Sequence, residues 1–180
     1  MDNSPLRRSC SKTMGSRDQE AISRVIKTTA LLLLAVFSLL KIVEAAAVNI
    51  NGIWSLTIGV GNLQGGAGSD LTSTYQSPSG QITMDVVPGG KKAWGISVAR
   101  VDSSWNANFV LSVMRTGSGS GTGTVSGGTT YLTITTTTQT FVTGTGSLTG
   151  IPLQEQLGGV SVSIPPATYS TTIQFTAADM

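Results

Sequence analysis

The sequence predicts an all-β fold, an immunoglobulin-like antiparallel β-sandwich of about seven to eight strands. Segments in which apolar and polar residues alternate recur after residue 47, and no apolar repeat of helical period appears there. Stretches rich in glycine, serine and proline separate these segments, as turns do. About 135 residues follow the leader, enough for one domain with its own core. A closed barrel is the alternative architecture for the same pattern.

The first 47 residues have the order of parts found in a secretory signal peptide. A polar, basic stretch precedes the apolar run TALLLLAVFSLL at 29–40, and small residues follow it. These small residues predict cleavage after Ala45 or after Ala47. An uncleaved anchor is the alternative, but the apolar run is shorter than the roughly 20 residues that a membrane-spanning helix needs. We therefore expect a secreted or cell-surface protein that crosses the periplasm in transit and meets a membrane only through this leader.

The rest of the chain, 48–180, is predicted to form a single domain. Its first alternating segment, VNINGIWSLTIGV at 48–60, follows the predicted cleavage site directly, and PPATYSTTIQFT lies near the other end of the domain. The alternating positions, in chain order, are Trp54, Leu56, Ile58 and Val60; Ile82, Met84 and Val86; Trp94, Ile96 and Val98; Trp105, Ala107, Phe109, Leu111 and Val113; Leu132 and Ile134, followed by Phe141; Val160, Val162 and Ile164; and Tyr169, Thr171, Ile173 and Phe175.

The segments between these strands have the composition of turns. Glycine supplies positive φ values there and proline fixes φ. Residues 129–149 also hold 11 threonines, which are β-branched, polar and suited to a sheet face in water. A flat array that binds glycan or ice is the alternative, but no repeat of fixed period supports it. The predicted turns are GNLQGGAGS (61–69), SPSG (77–80), PGG (88–90), GSGSGTG (117–123) and TGTGSLTGIP (143–152).

The predicted mature chain lacks the side chains most used in catalysis. The chain has no histidine, and its one cysteine, Cys10, lies in the leader near Met14, which is the alternative start to Met1. This excludes Ser-His-Asp, Cys-His and zinc sites of the usual composition. Seven of the 11 Lys and Arg residues also precede residue 46, so the net charge of +2 gives no reason to expect nucleic-acid binding. The remaining acids are dispersed: Asp70, Asp85, Asp102, Glu155 and Asp179.

We therefore expect no catalytic residue, no cofactor, no metal site and no enzymatic activity. A hydrolase with paired carboxylates would require two of the five acids to converge in a cleft, and no local spacing pairs them. A calcium site at Asp70 would rest on a single carboxylate, which is few for that ion.

The predicted mature chain resembles bacterial fimbrial or pilus subunits and the secreted spore-coat-U-like proteins. The resemblance combines an export leader, an alternating segment at the new N-terminus, a β body rich in glycine and threonine, and the terminal strand PPATYSTTIQFT. It covers the mature chain as a pattern, and the terminal strand is its most specific part. Two features depart from it: the disulfide of many such subunits is absent, and Tyr169 lies 11 residues before the end of the chain, whereas the family tyrosine usually lies next to it.

The resemblance implies a structural subunit that assembles by β-strand addition, with help from a periplasmic chaperone and usher. In such subunits the last strand borders a groove that an N-terminal segment of a neighbour fills, so 48–60 would be a donor strand here and the partner would be a polymer or homo-oligomer of this chain. An ordinary first strand is an equal alternative for 48–60. A surface-binding or carbohydrate-binding adhesin is the alternative function, and an enzyme the second. The candidate subunit-contact residues are Trp54, Leu56, Ile58, Val60, Tyr169, Ile173 and Phe175.

Overall fold

A computed structural model describes residues 45–90 and 92–180, so the predicted leader up to residue 44 and Lys91 lie outside the described residues. Two antiparallel sheets form a β-sandwich, which confirms the predicted fold class. No helix in the described part is long and apolar enough to cross a membrane. The elements are β1 (Ala47–Asn51), a 3-10 helix (Val60–Asn62), β2 (Tyr75–Gln76), β3 (Ile82–Val87), β4 (Ala93–Ser104), β5 (Val110–Arg115), β6 (Ser120–Gly121), β7 (Thr124–Gly127), β8 (Leu132–Thr133), β9 (Gln139–Thr145), β10 (Leu148–Gly158) and β11 (Ser170–Asp179).

The larger sheet has seven strands and is built around β10. Its order is β1-β3-β10-β5-β8, and the two-residue strands β2 and β6 also pair with β10. The smaller sheet has four strands in the order β11-β4-β9-β7. Edge strands β1 and β11 lie near each other, so the same side of the sandwich carries one edge of each sheet. The described strands exceed the predicted seven to eight because three of them are only two residues long.

The core lies between the two sheets and follows the alternation of the central strands. Inward residues of β3 and β4 are buried, as the sequence predicts, while their neighbours along the chain are more exposed. Burial of such side chains contributes about 1.5–3 kcal/mol each. The core positions with no exposed surface are Met84, Val86, Trp94, Ile96, Val98, Val113, Ile151 and Leu153.

Trp94 shows why a particular glycine is required in the neighbouring strand. Its indole Nε1 donates a hydrogen bond to the Gly146 backbone O at 2.8 Å, so the buried indole N–H is satisfied. Gly144 lies opposite Trp94 in β9, and a Cβ there would come within 2.3 Å of the Trp94 ring. The largest core side chain therefore fits only because β9 has no side chain at residue 144.

Arg115 joins the two sheets at one end of the sandwich. Its Nε donates to Gly127 O in β7 of the smaller sheet, and its Nη1 donates to Gly117 O at 3.1 Å. The Arg115 backbone N donates to Gly128 O as well. A single side chain thus satisfies carbonyls from a turn and from the opposite sheet.

One predicted strand, at 160–164, is wrong, and two others are present only in part, as β1 and β5, although all of their residues alternate. The segment 52–59 follows β1 without pairing, the segment 105–109 is a turn between β4 and β5, and the segment 159–164 is a turn after β10. Alternation marks a segment that could be half-buried, but a strand also needs a neighbouring strand to bond.

The first five residues of the central strand β10, 148–152, belong to the predicted turn TGTGSLTGIP at 143–152, and that part of the prediction is wrong. The strand contains Gly150, with φ +64, and Pro152. Its register shifts between Leu148 and Ile151, which is a bulge. Gly150 supplies the conformation of the bulge. Pro152 lies beside the bulge, where a strand tolerates proline better than it does within a regular ladder.

Candidate subunit interface

The edge of the smaller sheet formed by β11 is the most prominent unpaired feature of the fold. β11 is ten residues long and pairs only with β4 on one side. Exposure alternates along it, with the odd-numbered residues half-buried and the even-numbered residues exposed. The inward residues Ile173, Phe175 and Ala177 pack against the core without being fully covered. This edge therefore presents both free backbone groups and incompletely buried apolar side chains.

The ladder between β11 and β4 determines which backbone groups are free. It is regular from Thr171 to Asp179, and the next residue, Met180, donates its N–H to Ala93 O at 3.0 Å. Residues of an antiparallel pair alternate between bonding the partner strand and pointing away from it. The even-numbered residues 172–178 therefore bond β4, and the odd-numbered residues direct N–H and C=O away from it.

The position of Arg100 supports this assignment. Arg100 lies opposite Ile173 in the ladder, and its backbone N–H donates to Thr135 O at 2.9 Å, on the side away from β11. Arg100 and Ile173 are therefore a pair that does not exchange hydrogen bonds. Among the described residues, no hydrogen bond is made by the outward backbone groups of Ile173 or of the other odd positions up to residue 179.

The outer face beside this edge carries no charge. The exposed side chains of β11 are Ser170, Thr172, Gln174, Thr176 and Ala178, and they stand beside small residues of β4 such as Gly95 and Ser97. Natural edge strands are usually protected against association by lysine, proline, bulges or inward charges. β11 has a register shift at Ser170/Thr171 and an acid at Asp179, but the strand between them has none of these features.

The predicted contact residues separate into two groups. Ile173 and Phe175 lie on the inward face of β11, as the alternation predicts, and Tyr169 lies just before the strand. The Tyr169 hydroxyl donates to Pro165 O at 2.7 Å, and its ring meets Phe109 edge to face at 5.1 Å between centroids. Tyr169 therefore closes an end of the sandwich and is not part of the unpaired edge.

The other four predicted residues lie in the unpaired segment after β1. Trp54 and Ile58 are half-buried, whereas Leu56 is 39% exposed and Val60 is 89% exposed. The strand expected over 48–60 is present only as β1, which pairs with β3 of its own sheet from Ala47 to Asn51. The first four residues of the predicted donor segment, 48–51, therefore belong to an ordinary first strand.

A half-buried carboxyl group, Glu155, is not among the residues that the sequence patterns indicate. Glu155 lies on β10 opposite Val113, in phase with the inward residues Leu153 and Leu157. Burial raises the pKa of the Glu155 carboxyl from 4.5 to about 7. Its position between two leucines in the sequence LQEQL is the signal that could have found it, since the three residues share one face of a strand.

Three other buried polar atoms have no hydrogen-bond partner among the described residues. They are the Tyr75 hydroxyl, Arg100 Nε and Trp105 Nε1. Tyr75 pairs with Leu157 of β10, and the Arg100 guanidinium lies 5.1 Å from the Trp105 ring centroid. Arg100 also forms an ion pair with Asp102 at 3.6 Å.

The four aspartates have separate local roles. Asp70 accepts hydrogen bonds from the backbone N–H groups of Val162 and Leu71, which lowers its pKa. Asp85 accepts a hydrogen bond from Gly150 N at 2.7 Å. Asp102 accepts a hydrogen bond from Thr171 Oγ1, and Asp179 accepts one from Gly89 N. Within 45–90 and 92–180, no three acidic, histidine or cysteine side chains are grouped as a metal site would require.

The comparisons with known proteins return no relative: no family model, no curated protein and no solved structure matches the chain.

Proposed function

We propose that the protein is an exported structural subunit of a pilus, fimbria or surface coat, whose copies join by β-strand addition at β11. The observation that carries this proposal is the edge of β11, where outward backbone groups and half-buried apolar side chains stand together without a protecting charge. Adding a strand there would satisfy the backbone groups and cover the side chains at the same time. The proposal includes export through the leader, with a chaperone and usher as candidate partners in the periplasm.

The mode of assembly is tested first by the size of the protein in solution. Light scattering after size-exclusion chromatography should give a molar mass that rises with protein concentration, and electron microscopy should show whether the associated material is fibrous. A protein that remains monomeric up to about 1 mM, where even weak specific association is populated, would contradict strand addition between copies.

The edge itself is tested by Ala177→Pro. Ala177 directs its N–H away from β4, so proline removes a group that a new strand would need while leaving the ladder to β4 in place. We expect a folded protein with weakened association, and Ala177→Ser, which retains the N–H, should associate like the wild type. Circular dichroism establishes that both variants fold. Equal association of the proline variant would exclude β11 as the joining edge.

Export is tested by mass spectrometry of the protein recovered outside the cytoplasm. An N-terminus at Ala46 or Val48 is expected, because each follows a site with small residues at the positions that signal peptidases read. Recovery of a chain that still begins at Met1 or Met14 would contradict cleavage.

A further inference from the structure

We propose that the strand that pairs with β11 is β11 of a second copy, running antiparallel about a two-fold axis at Phe175. This inference rests on the proposed function for the choice of β11 as the joining edge, and it adds the identity of the partner strand and its register. Two copies would then share a continuous eight-stranded sheet, since the smaller sheet of each copy contributes four strands. A two-fold contact is closed, so this dimer would be the unit of assembly and a second contact would join one dimer to the next.

The backbone pattern of β11 suits self-pairing in one register above others. The free groups belong to odd-numbered residues from 171 to 179, and a two-fold axis at Phe175 pairs odd positions only with odd positions. Thr171 then lies opposite residue 179 of the partner subunit, and Ile173 opposite residue 177. Any other register that joins odd positions leaves some residues between 171 and 179 without a partner.

In the same register, each face of the combined sheet carries the same kind of side chain in both copies. Odd-numbered side chains of β11 point toward the core, so odd-with-odd pairing places the inward faces of both copies on the same side. The apolar residues Ile173, Phe175 and Ala177 would cover one another across the axis. The even-numbered residues would extend the uncharged outer face from one copy into the next.

The near absence of charge along β11 also permits this partner. The one acid of the strand, Asp179, would face Thr171 of the partner subunit, so the two copies of Asp179 stand at opposite ends of the paired strands. From residue 170 to residue 178 the strand carries no charge, and two identical strands therefore approach without like-charge repulsion. Few edge strands of this length satisfy that condition, because edges are commonly charged to prevent such pairing.

The alternative donor within this chain is partly committed elsewhere. Residues Ala47–Asn51 already pair with β3, so they are not free to leave without breaking the larger sheet. The unpaired remainder, 52–60, includes Gly52 at φ +98 and Gly59, which makes it a weaker strand than β11. β11, in contrast, has no strand of the described chain hydrogen-bonded to its outer side.

A mixing experiment with single cysteines tests the register directly. Gln174 would lie opposite residue 176 of the partner subunit in a pair that exchanges no backbone hydrogen bonds, with Cα atoms about 4.5 Å apart. That spacing lies within the range of about 4.4–6.8 Å that disulfides span. The variants are Gln174→Cys and Thr176→Cys, each in the full chain with Cys10→Ser so that the introduced thiol is the only one.

Under mild oxidation the mixture of the two variants should form a covalent dimer, and neither variant alone should do so. Alone, each introduced thiol faces a threonine or glutamine, and the two identical cysteines lie about 7–8 Å apart diagonally, which is too far. The wild type, whose molar mass in the same buffer is measured by light scattering, provides the reference. Non-reducing gel electrophoresis gives the readout.

A charge design supplies an independent test that needs no covalent bond. Gln174→Lys with Thr176→Lys places two like-charged pairs across the axis and should weaken the dimer about tenfold or more. Gln174→Lys with Thr176→Glu places opposite charges across the axis in the same register and should restore the wild-type dissociation constant. Both substitutions lie on the exposed face of β11, so circular dichroism should show the same fold for both variants.

The outcomes separate this inference from the function on which it rests. Association of the wild type without cross-linking of the cysteine mixture would overturn self-pairing of β11 and leave strand addition by another segment. A wild type that stays monomeric at about 1 mM would overturn both. Cross-linking in the mixture alone, together with recovery in the Lys/Glu variant, would establish the two-fold pairing.

Discussion

Glu155 should make the stability of the fold depend on pH in a direction opposite to that of most carboxylates. The folded state holds the Glu155 proton up to a pKa of about 7, whereas the unfolded chain releases it near 4.5. Between these two values the folded state binds more protons than the unfolded state, so the free energy of unfolding falls as pH rises. The stabilisation is complete below about pH 4.5 and is lost by about pH 7.

The magnitude follows from the difference between the two pKa values. A difference of about 2.5 pH units corresponds to about 3.5 kcal/mol, since each unit is worth about 1.4 kcal/mol. Against a typical domain stability of about 5–15 kcal/mol, this is a large fraction. The cause is desolvation, because Glu155 lies on the inward face of β10 between Leu153 and Leu157.

Urea denaturation at pH 5 and at pH 8 measures the effect. We expect the wild type to be about 2–3 kcal/mol less stable at pH 8, with an unchanged dependence on urea. Glu155→Gln keeps the size and polarity of the side chain but cannot ionise, so most of this difference should disappear. Equal wild-type stability at the two pH values, or a Gln variant with the same loss, would refute the assignment of a buried, neutral Glu155.

Two further changes test the packing and a loop contact. Gly144→Ala should destabilise the fold by about 1–3 kcal/mol, as measured by thermal denaturation, because its Cβ would meet the Trp94 ring. The control is Gly59→Ala, where a Cβ meets nothing within 4 Å. Equal losses of stability in the two variants would contradict the packing argument. Asp70→Ala should remove the acceptor of the Val162 N–H, so hydrogen exchange at Val162 should become faster at neutral pH; unchanged exchange would mean that this contact does not hold the loop.

Two of the strands that alternation predicts correctly, β3 and β4, have a neighbouring strand on each side. β3 and the first half of β4 alternate between buried and more exposed residues, both strands lie inside their sheets, and the turn sequence PGG at 88–90 lies between them. Their inward residues must be apolar because the opposite sheet covers them completely, so the periodic pattern is strict. The pattern and the structure agree there because the same burial causes both.

The strand β10 could not be predicted from the same pattern, although it is the centre of the larger sheet. Its bulge adds a residue between Leu148 and Ile151, which breaks the period of two. Gly150 and Pro152 then resemble a turn at the level of sequence. A glycine followed by a proline can form either a turn or a bulge. The neighbouring strands β3 and β5 decide between the two, and the sequence of β10 alone carries no information about these neighbours.

The contact residues were predicted only in part for a related reason. Ile173 and Phe175 lie at the edge as expected, because β11 is long and regular enough for its own period to determine its faces. The alternation at 54–60 has the same form, but that segment has no strand beside it in the described part of the chain. Apolar alternation therefore indicates where a neighbour could bind and does not say whether that neighbour belongs to the same chain.

Inward side chains of the smaller sheet are less buried at its edge than at its centre. A strand added at this edge would therefore join two copies and complete the core at the same time. In β4, Val98 and Ile96 are fully buried, whereas their ladder partners in β11, Phe175 and Ala177, are only half-buried. A strand beyond β11 would cover the remaining apolar surface at about 25 cal/mol per Å². Because the inward side chains that gain burial belong to the same odd-numbered residues whose N–H and C=O groups are free, hydrogen bonding and burial would reinforce each other at every second residue of the edge.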